Sequence, residues 1–424
     1  MSLTRAKNVK AALLFAIFLP FSILAEGDPF DALDKMLEDR FQSIDHSLEE
    51  QYQLMDKALE AAYQRLGKEV AASWGDAEVI LPTRKEWVDY SPDLQIRRLI
   101  NFELGFIKLE RLMNPDDTVE EIVSELSDAA QSITTDSLSE LGQKDLTLTY
   151  ARESLALDGI ELSVPPQTSQ EPVLKGVSGP LDVMQFNSLV ANALRDEDPE
   201  EELTISNDFS SSLISVNVKK IGPNKKKITI KIPLLTDYDL KLADKYYSVI
   251  SHEAKKRKLQ ASLLFAVMET ESSFNPRARS GAPAFGLMQL VPRSGAMDAY
   301  GYIHGDKILL DPEYLYQTSK NVELGAAYLD LLHNRYLRHI SNPLAREYCA
   351  IAAYNTGAGN VARSFTGTND VRQAAKIINE MSPAAVYDHL RAKLPHEETR
   401  QYILKVTKAK KKYEIYDNHT EECS

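Results

Sequence analysis

The chain has 424 residues, a formal charge of −13 and two cysteines. An acidic chain excludes generic binding to nucleic acid, which needs a cationic surface to displace counterions. The length suggests two or three domains, each able to bury a core.

Residues 1–25 read as a cleaved secretory signal. Arg5, Lys7 and Lys10 precede an apolar run over 11–24, and the small Ala25 precedes the acidic Glu26. A retained anchor is the rival reading, but a run of about 14 residues is short for a span that needs roughly 20. No cysteine lies near Ala25, so lipoprotein acylation has no acceptor. The expected location is the periplasm.

Residues 26–75 form a helical segment, with Leu33, Met36, Leu37, Phe41, Ile44, Leu48 and Tyr52 recurring at three- and four-residue steps. Core packing is the default use of such a stripe.

Residues 76–235 read as a mixed α/β domain. A strand is expected over 78–81. Residues 97–102 and 106–110 alternate around Gly105 as a hairpin, and 213–218 and 228–232 alternate around Gly222-Pro223-Asn224 as a second one. A helix is expected over 118–132. The stretch 160–181, rich in Pro, Gly and Ser, reads as a loop. This region shows no metal-ligand cluster and no phosphate loop.

From 236 to 415 strand signals vanish. Helical periods run through 237–256, 259–271, 319–338, 345–354 and 397–411, with Thr236 or Asp237 available to cap the first. Residues 416–424 are a polar tail. Cys349 precedes the apolar run Ala350-Ile351-Ala352-Ala353 and reads as a core residue. Cys423 lies in the tail, and a bridge between the two is not expected. The fold class is therefore α+β: a helical start, a mixed domain, then an all-α domain.

Helix 259–271 carries the strongest chemical signal. With Glu271 at zero, Leu264 lies near +20°, Val267 near −40° and Met268 near +60°, at about 100° per residue. Glu271 thus centres on an apolar face, while Glu269, at about 160°, faces away beside Ser262. A carboxyl turned into an apolar face loses hydration and its pKa rises, which suits a general acid. A buried structural glutamate explains the periodicity equally well. Pro276 ends the helix soon after Glu271, and the dipole at that end also disfavours the ionised form. Gly286 permits close backbone approach, and Gln289 can donate and accept hydrogen bonds, as an acetamido sugar requires.

Glu271-Ser272-Ser273-Phe274-Asn275-Pro276, then Ser280, Gly286-Leu287-Met288-Gln289, and Ala353-Tyr354-Asn355-Thr356-Gly357 resemble the ordered motifs of the family 1 lytic transglycosylases. Asp311-Pro312, Asn321, Gly325 and Tyr328-Leu329 resemble that family's intervening helix, and Glu398-Thr399-Arg400-Gln401-Tyr402 its closing motif. The upstream layout resembles the family's membrane-bound lytic murein transglycosylase C members, which are lipoproteins. The chain departs from the family at Thr356, usually a second glycine, and at His396, often a tyrosine.

The resemblance implies a lysozyme-like helical catalytic domain that cleaves the MurNAc–GlcNAc bond of peptidoglycan without water. Glu271 would protonate the bridging oxygen. The substrate's acetamido group would stabilise the cationic centre. Glu271 would then take the proton of the C6 hydroxyl as it attacks C1, leaving a 1,6-anhydro end. Tyr402 would support these transfers. Gln289 and Asn355 would hold sugar amides and hydroxyls, and Ser273, Gly286 and Met288 would line the substrate site. Ser272 would orient the acid, or simply bond to backbone. Tyr354 would stack on a sugar or fill the core. No metal or organic cofactor is implied. The partner is the peptidoglycan glycan strand; peripheral association with the outer membrane or with envelope proteins stays open. Three rivals are a hydrolase of the same bond, an inactive peptidoglycan-binding module and a structural envelope protein. A zinc peptidase is disfavoured because His252-Glu253 lacks the second histidine of a helical zinc motif.

Overall fold

The computed structural model describes residues 29–162, 171–195, 203–206, 213–222, 225–281 and 283–417. The expected secretory segment, Cys423 and the turn residues Pro223 and Asn224 lie outside them. One unit, Met1–Glu50, holds the start of helix α1 (Pro29–Trp74), and the other, Gln51–Ser424, holds the rest of the chain.

Tyr52 of the predicted stripe is buried, and the periodicity continues beyond it. Met55, Leu59 and Ala62 join the main core, while Leu66, Val70 and Trp74 pack with Val88, Tyr90, Leu99 and Leu112 in a second cluster.

Three strands follow: β1 (Glu86–Tyr90), β2 (Ile96–Asn101) and β3 (Phe106–Met113). Next come α2 (Val119–Thr135), α3 (Leu138–Gln143), α4 (Leu146–Leu157) and α5 (Val183–Arg195). Then β4 (Leu203–Ser206), β5 (Leu213–Gly222) and β6 (Lys225–Pro233) complete an antiparallel sheet in the order β1-β2-β3-β6-β5-β4. Both expected hairpins are present, β2–β3 in the register Asn101↔Phe106 and β5–β6 in the register Val216↔Ile230.

The strand expected over 78–81 is absent. That stretch is a short turn, Asp76–Glu78, followed by extended chain whose carbonyls serve side chains. Ile80 accepts from the Tyr90 hydroxyl at 2.7 Å, and Glu78 from Arg97 at 2.6 Å. The strand lies further on, at β1. Its buried Asp89 hides it from a hydropathy pattern, and that carboxylate is tolerated because it pairs with the buried Arg98.

The last part is helical: α6 (Tyr238–Arg257), α7 (Ala261–Ser272), α8 (Met297–His304), α9 (Pro312–Leu315), α10 (Thr318–Leu331), α11 (Pro343–Thr356), α12 (Ala358–Thr366), α13 (Val371–Asn379), α14 (Pro383–Lys393) and α15 (Glu397–Tyr413). The helix expected over 319–338 stops at Leu331 and continues as a wider turn, Leu332–Tyr336. Asp237 stands at the N-cap of α6 but makes no side-chain capping bond. Cys349 is fully buried, as expected of a core residue.

Sheet and helices share one continuous core, with Trp87 and Ile107 in the same cluster as Leu242 and Phe265. Polar contacts also cross the junction: Arg277 to Asp145 at 3.2 Å and Arg152 to Glu313 at 2.8 Å. Among the described residues no helix is long and apolar enough to cross a membrane.

Candidate active site

Helix α7 is buried along every residue from Ala261 to Met268, so it is a central helix rather than a one-faced one. It packs along α15 and α6, and Phe265 stacks on Tyr413 with ring centroids 5.3 Å apart. Its C-terminal turn is where polar chemistry begins. Ser273 and Phe274 both adopt the left-handed region, with φ of 50° and 66°. Two successive non-glycine residues in that region cost energy, and such strain gathers where a site dictates the backbone. Proline at 276 is thus not what ends the helix.

Lys85, from the segment entering β1, meets this end. Its ammonium donates to the Glu269 carbonyl at 2.7 Å and to the Ser273 hydroxyl at 2.8 Å. A cation at a helix C-terminus satisfies orphan carbonyls and opposes the dipole. Burial lowers its pKa to about 8.

Glu271 is 5% exposed and opens on a cleft of about 400 Å³. Gln289, Tyr328, Tyr354, Asn355, Glu398 and Arg84 also line that cleft. Loss of hydration raises the Glu271 pKa to about 7, against the opposing pull of the Tyr402 hydroxyl, Arg84 and Lys85. Burial holds Tyr402 well above its ordinary range, so its phenol keeps the proton and can donate. That hydroxyl faces the carboxyl closely enough to favour the charged form, yet completes no well-formed hydrogen bond to any described residue.

The walls carry a matched pair of amides. Gln289 donates from Nε2 to the Ala278 and Gly286 carbonyls, both at 3.0 Å. Two carbonyl partners fix which end is nitrogen. The buried Oε1 is left without a partner among the described residues. Gln289 itself sits at φ 46°, a further strained position. The Asn355 Oδ1 accepts from Thr399 at 2.7 Å, which ties α11 to α15 and leaves the amide N–H groups for the cleft. The cleft wall thus holds one anchored amide donor and a second amide whose acceptor oxygen is buried. Tyr354 sends its hydroxyl inward to the Met288 carbonyl at 2.8 Å, and its ring packs 5.4 Å from that of Tyr328. It is part of the wall.

Of the residues expected at a substrate site, Glu271, Gln289, Tyr354 and Asn355 line the cleft, and Tyr402 faces Glu271. Ser272, Ser273, Gly286 and Met288 do not line it. Ser272 is fully buried and donates to the Met268 and Leu287 carbonyls at 3.0 and 2.8 Å. Ser273 faces a different cavity beside Lys85. Gly286 gives close approach to protein rather than ligand: a Cβ there would lie 2.4 Å from Asn321 Nδ2. Met288 is buried against Gly325, and its amide donates to Asn321 at 2.7 Å. Ser272, Gly286 and Met288 shape the loop that presents Gln289, whereas Ser273 serves the Lys85 contact at the end of α7.

Among the residues of the cleft that the sequence does not mark as site residues, two are charged. Glu398 stands in the closing motif, whose order had singled out only Tyr402. Arg84 comes from the sheet region, far from every motif, and no pattern around it signals the cleft.

Residues 248–377 match the model of the transglycosylase SLT domain, and residues 52–129 match that of the N-terminal domain of membrane-bound lytic murein transglycosylase C. The chain is 34% identical over 342 residues to membrane-bound lytic murein transglycosylase C of Klebsiella pneumoniae (strain 342), spanning 80% of this chain and 85% of that protein. Its counterpart in Yersinia enterocolitica is 33% identical over 341 residues, with the same coverage. An X-ray structure of an inactive mutant of lytic transglycosylase Slt from Pseudomonas aeruginosa matches with 30% identity and a TM-score of 0.31, over 41% of this chain and 24% of that one. The SLT domain and these relatives make the protein a peptidoglycan lytic transglycosylase. More closely, the chain belongs to the membrane-bound lytic murein transglycosylase C family.

Proposed function

We propose that the chain cleaves the MurNAc–GlcNAc β-1,4 bond by an internal transfer that leaves 1,6-anhydroMurNAc ends, with Glu271 as both acid and base. The observation that carries this reading is a buried carboxyl at the cleft, its pKa raised to about 7, facing a protonated Tyr402. A group raised toward neutral pH can give a proton to the leaving oxygen and recover one later. The first step protonates the bridging oxygen and breaks the C1–O bond. In the second, the C6 hydroxyl forms the new C1–O bond and returns its proton to Glu271, so no water is consumed.

Gln289 Oε1 and the Asn355 amide suit an acetamido group, which presents one N–H and one carbonyl. Ser272, Gly286 and Met288 act by building the loop around these groups rather than by touching sugar, and Ser273 acts by anchoring Lys85 at the end of α7. The described part of 236–415 is the catalytic module, and that of 76–235 contributes Arg84 to its cleft. The secretory reading of residues 1–25 would deliver the enzyme to the periplasm, for cell-wall remodelling or turnover.

Glu398 is the one feature that favours simple hydrolysis, because ordinary glycosidases use two carboxylates. It is 65% exposed and held by Arg84 at 3.4 Å, a poor setting for a nucleophile. Mass spectrometry of digested murein separates the two. Anhydro ends support transfer, while reducing ends, heavier by one water, would refute it.

A further inference from the structure

Arg84 is the only cationic side chain among the described residues that line the catalytic cleft. It reaches the cleft from the short segment before β1, and that segment is pinned on both sides. The Thr83 hydroxyl accepts from the Glu86 amide at 3.1 Å, the Arg84 carbonyl accepts from Asn275 at 3.3 Å, and Lys85 is bound to the end of α7. The backbone is therefore fixed, but the guanidinium is not. It stands 3.9 Å from Glu271 and 3.4 Å from Glu398, both longer than a charged hydrogen bond, and its side chain is 38% exposed. It makes no side-chain hydrogen bond to a described residue.

A planar guanidinium with free donors at the mouth of a cleft is a carboxylate receptor by geometry and charge. Its one close ionic partner in the cleft, Glu398, is solvated and easily exchanged. Peptidoglycan strands carry carboxylates on the branch that leaves each muramic acid, on the peptide or on the lactyl group itself. Without Arg84 the charged groups of the cleft would be the carboxyls of Glu271 and Glu398 alone, which would disfavour an anionic strand. We propose that Arg84 is the receptor for a carboxylate of this muramic acid branch, so that the sheet region reads the branch while α7 and α15 act on the sugar. The inference rests on the proposed reading of the cleft.

The test is strand affinity in a Glu271→Gln background, where binding can be measured without turnover. Three ligands are compared: peptide-bearing glycan strands, amidase-stripped strands with a free lactyl carboxylate, and neutral chitin oligosaccharides. Adding Arg84→Gln should weaken one or both carboxylate-bearing ligands by about five- to tenfold and leave the neutral one within about twofold. Arg84→Lys should recover part of the difference, since it keeps the charge and loses the fork. Loss on peptide-bearing strands alone would assign the peptide carboxylate, loss on stripped strands alone the lactyl carboxylate, which is free only there, and loss on both a receptor that takes either carboxylate of the branch. Equal loss on all three ligands, or no loss on any, would overturn the proposal. Activity surviving in Glu271→Gln would instead bring down the reading of the cleft itself.

Discussion

Glu269 and Glu271 stand two residues apart on one helix and face different cavities. Glu271 lines one cleft and faces Tyr402, whereas Glu269 lines a separate cavity and pairs with Lys412 at 3.2 Å. Two glutamates of one turn thus have opposite hydration, and only one is buried. Glu271→Gln should lower turnover by about 10²–10⁴-fold while murein binding in a pull-down persists. Glu269→Gln should leave turnover within about twofold, as expected of a partly exposed ion pair. Similar losses in both variants would show that catalysis does not depend on this division of faces.

Tyr402 supplies a second handle on the same group. Its hydroxyl favours the ionised form of Glu271, so its removal should raise that pKa further. In Tyr402→Phe the alkaline fall of turnover should move to higher pH, and turnover itself should drop by about 10- to 100-fold from lost stabilisation of the reacting groups. A pH–rate profile taken at saturating substrate checks both. A limb that moves to lower pH would mean that the tyrosine does not act on the glutamate as described.

The loop behind Gln289 makes a purely structural prediction. Gly286 has φ +78°, and a Cβ would lie 2.4 Å from Asn321 Nδ2 and 2.5 Å from the Leu315 carbonyl. Asn321 cannot move freely, because it also donates to the Phe285 and Leu315 carbonyls at 2.9 and 2.7 Å and accepts from Met288. Gly286→Ala should cost about 2–4 kcal/mol and lower the melting temperature by several degrees. A melting point within about one degree of the parent would show that the loop relaxes.

How far the sequence carried depends on where each signal was encoded. Hairpins announced themselves because Ile107, Leu109, Ile228 and Ile230 alternate with polar neighbours, and one face of the sheet is core. β1 did not, because Asp89 is buried as an ion pair and breaks the alternation. Glu271 was legible because local helix geometry already places it among Leu264, Val267 and Met268. Ser272 and Gly286 were legible as special but not as to purpose. A buried hydroxyl on a carbonyl and a glycine under an asparagine look the same in sequence as ligand contacts. Arg84 was invisible, since its role exists only once the sheet region closes over the end of α7. Local patterns encode the burial of Glu271; tertiary contact supplies its surroundings.

The last prediction concerns stability against pH. Glu271 has a folded pKa of about 7, above the ordinary 4.5, chiefly because burial penalises the charged form. The folded state therefore holds this proton more tightly than the unfolded chain does. Below about pH 4.5 both states are protonated and the group contributes nothing to the balance. Between the two values the unfolded chain ionises while the folded protein resists, and stability falls as pH rises. Above about 7 the full penalty is present, roughly 3 kcal/mol at 1.36 kcal/mol per unit of pKa. Glutamine keeps the size and polarity of the side chain but never ionises. Glu271→Gln should therefore melt a few degrees higher than the parent at pH 8, with the gap closing as the pH is brought toward 4. This is the usual trade in which an active site holds a group that folding alone would not choose. Calorimetry at three pH values is sufficient. A variant that melts lower than the parent at pH 8 would mean that Glu271 is held as a charged group by firm partners, which would also count against its role as the acid.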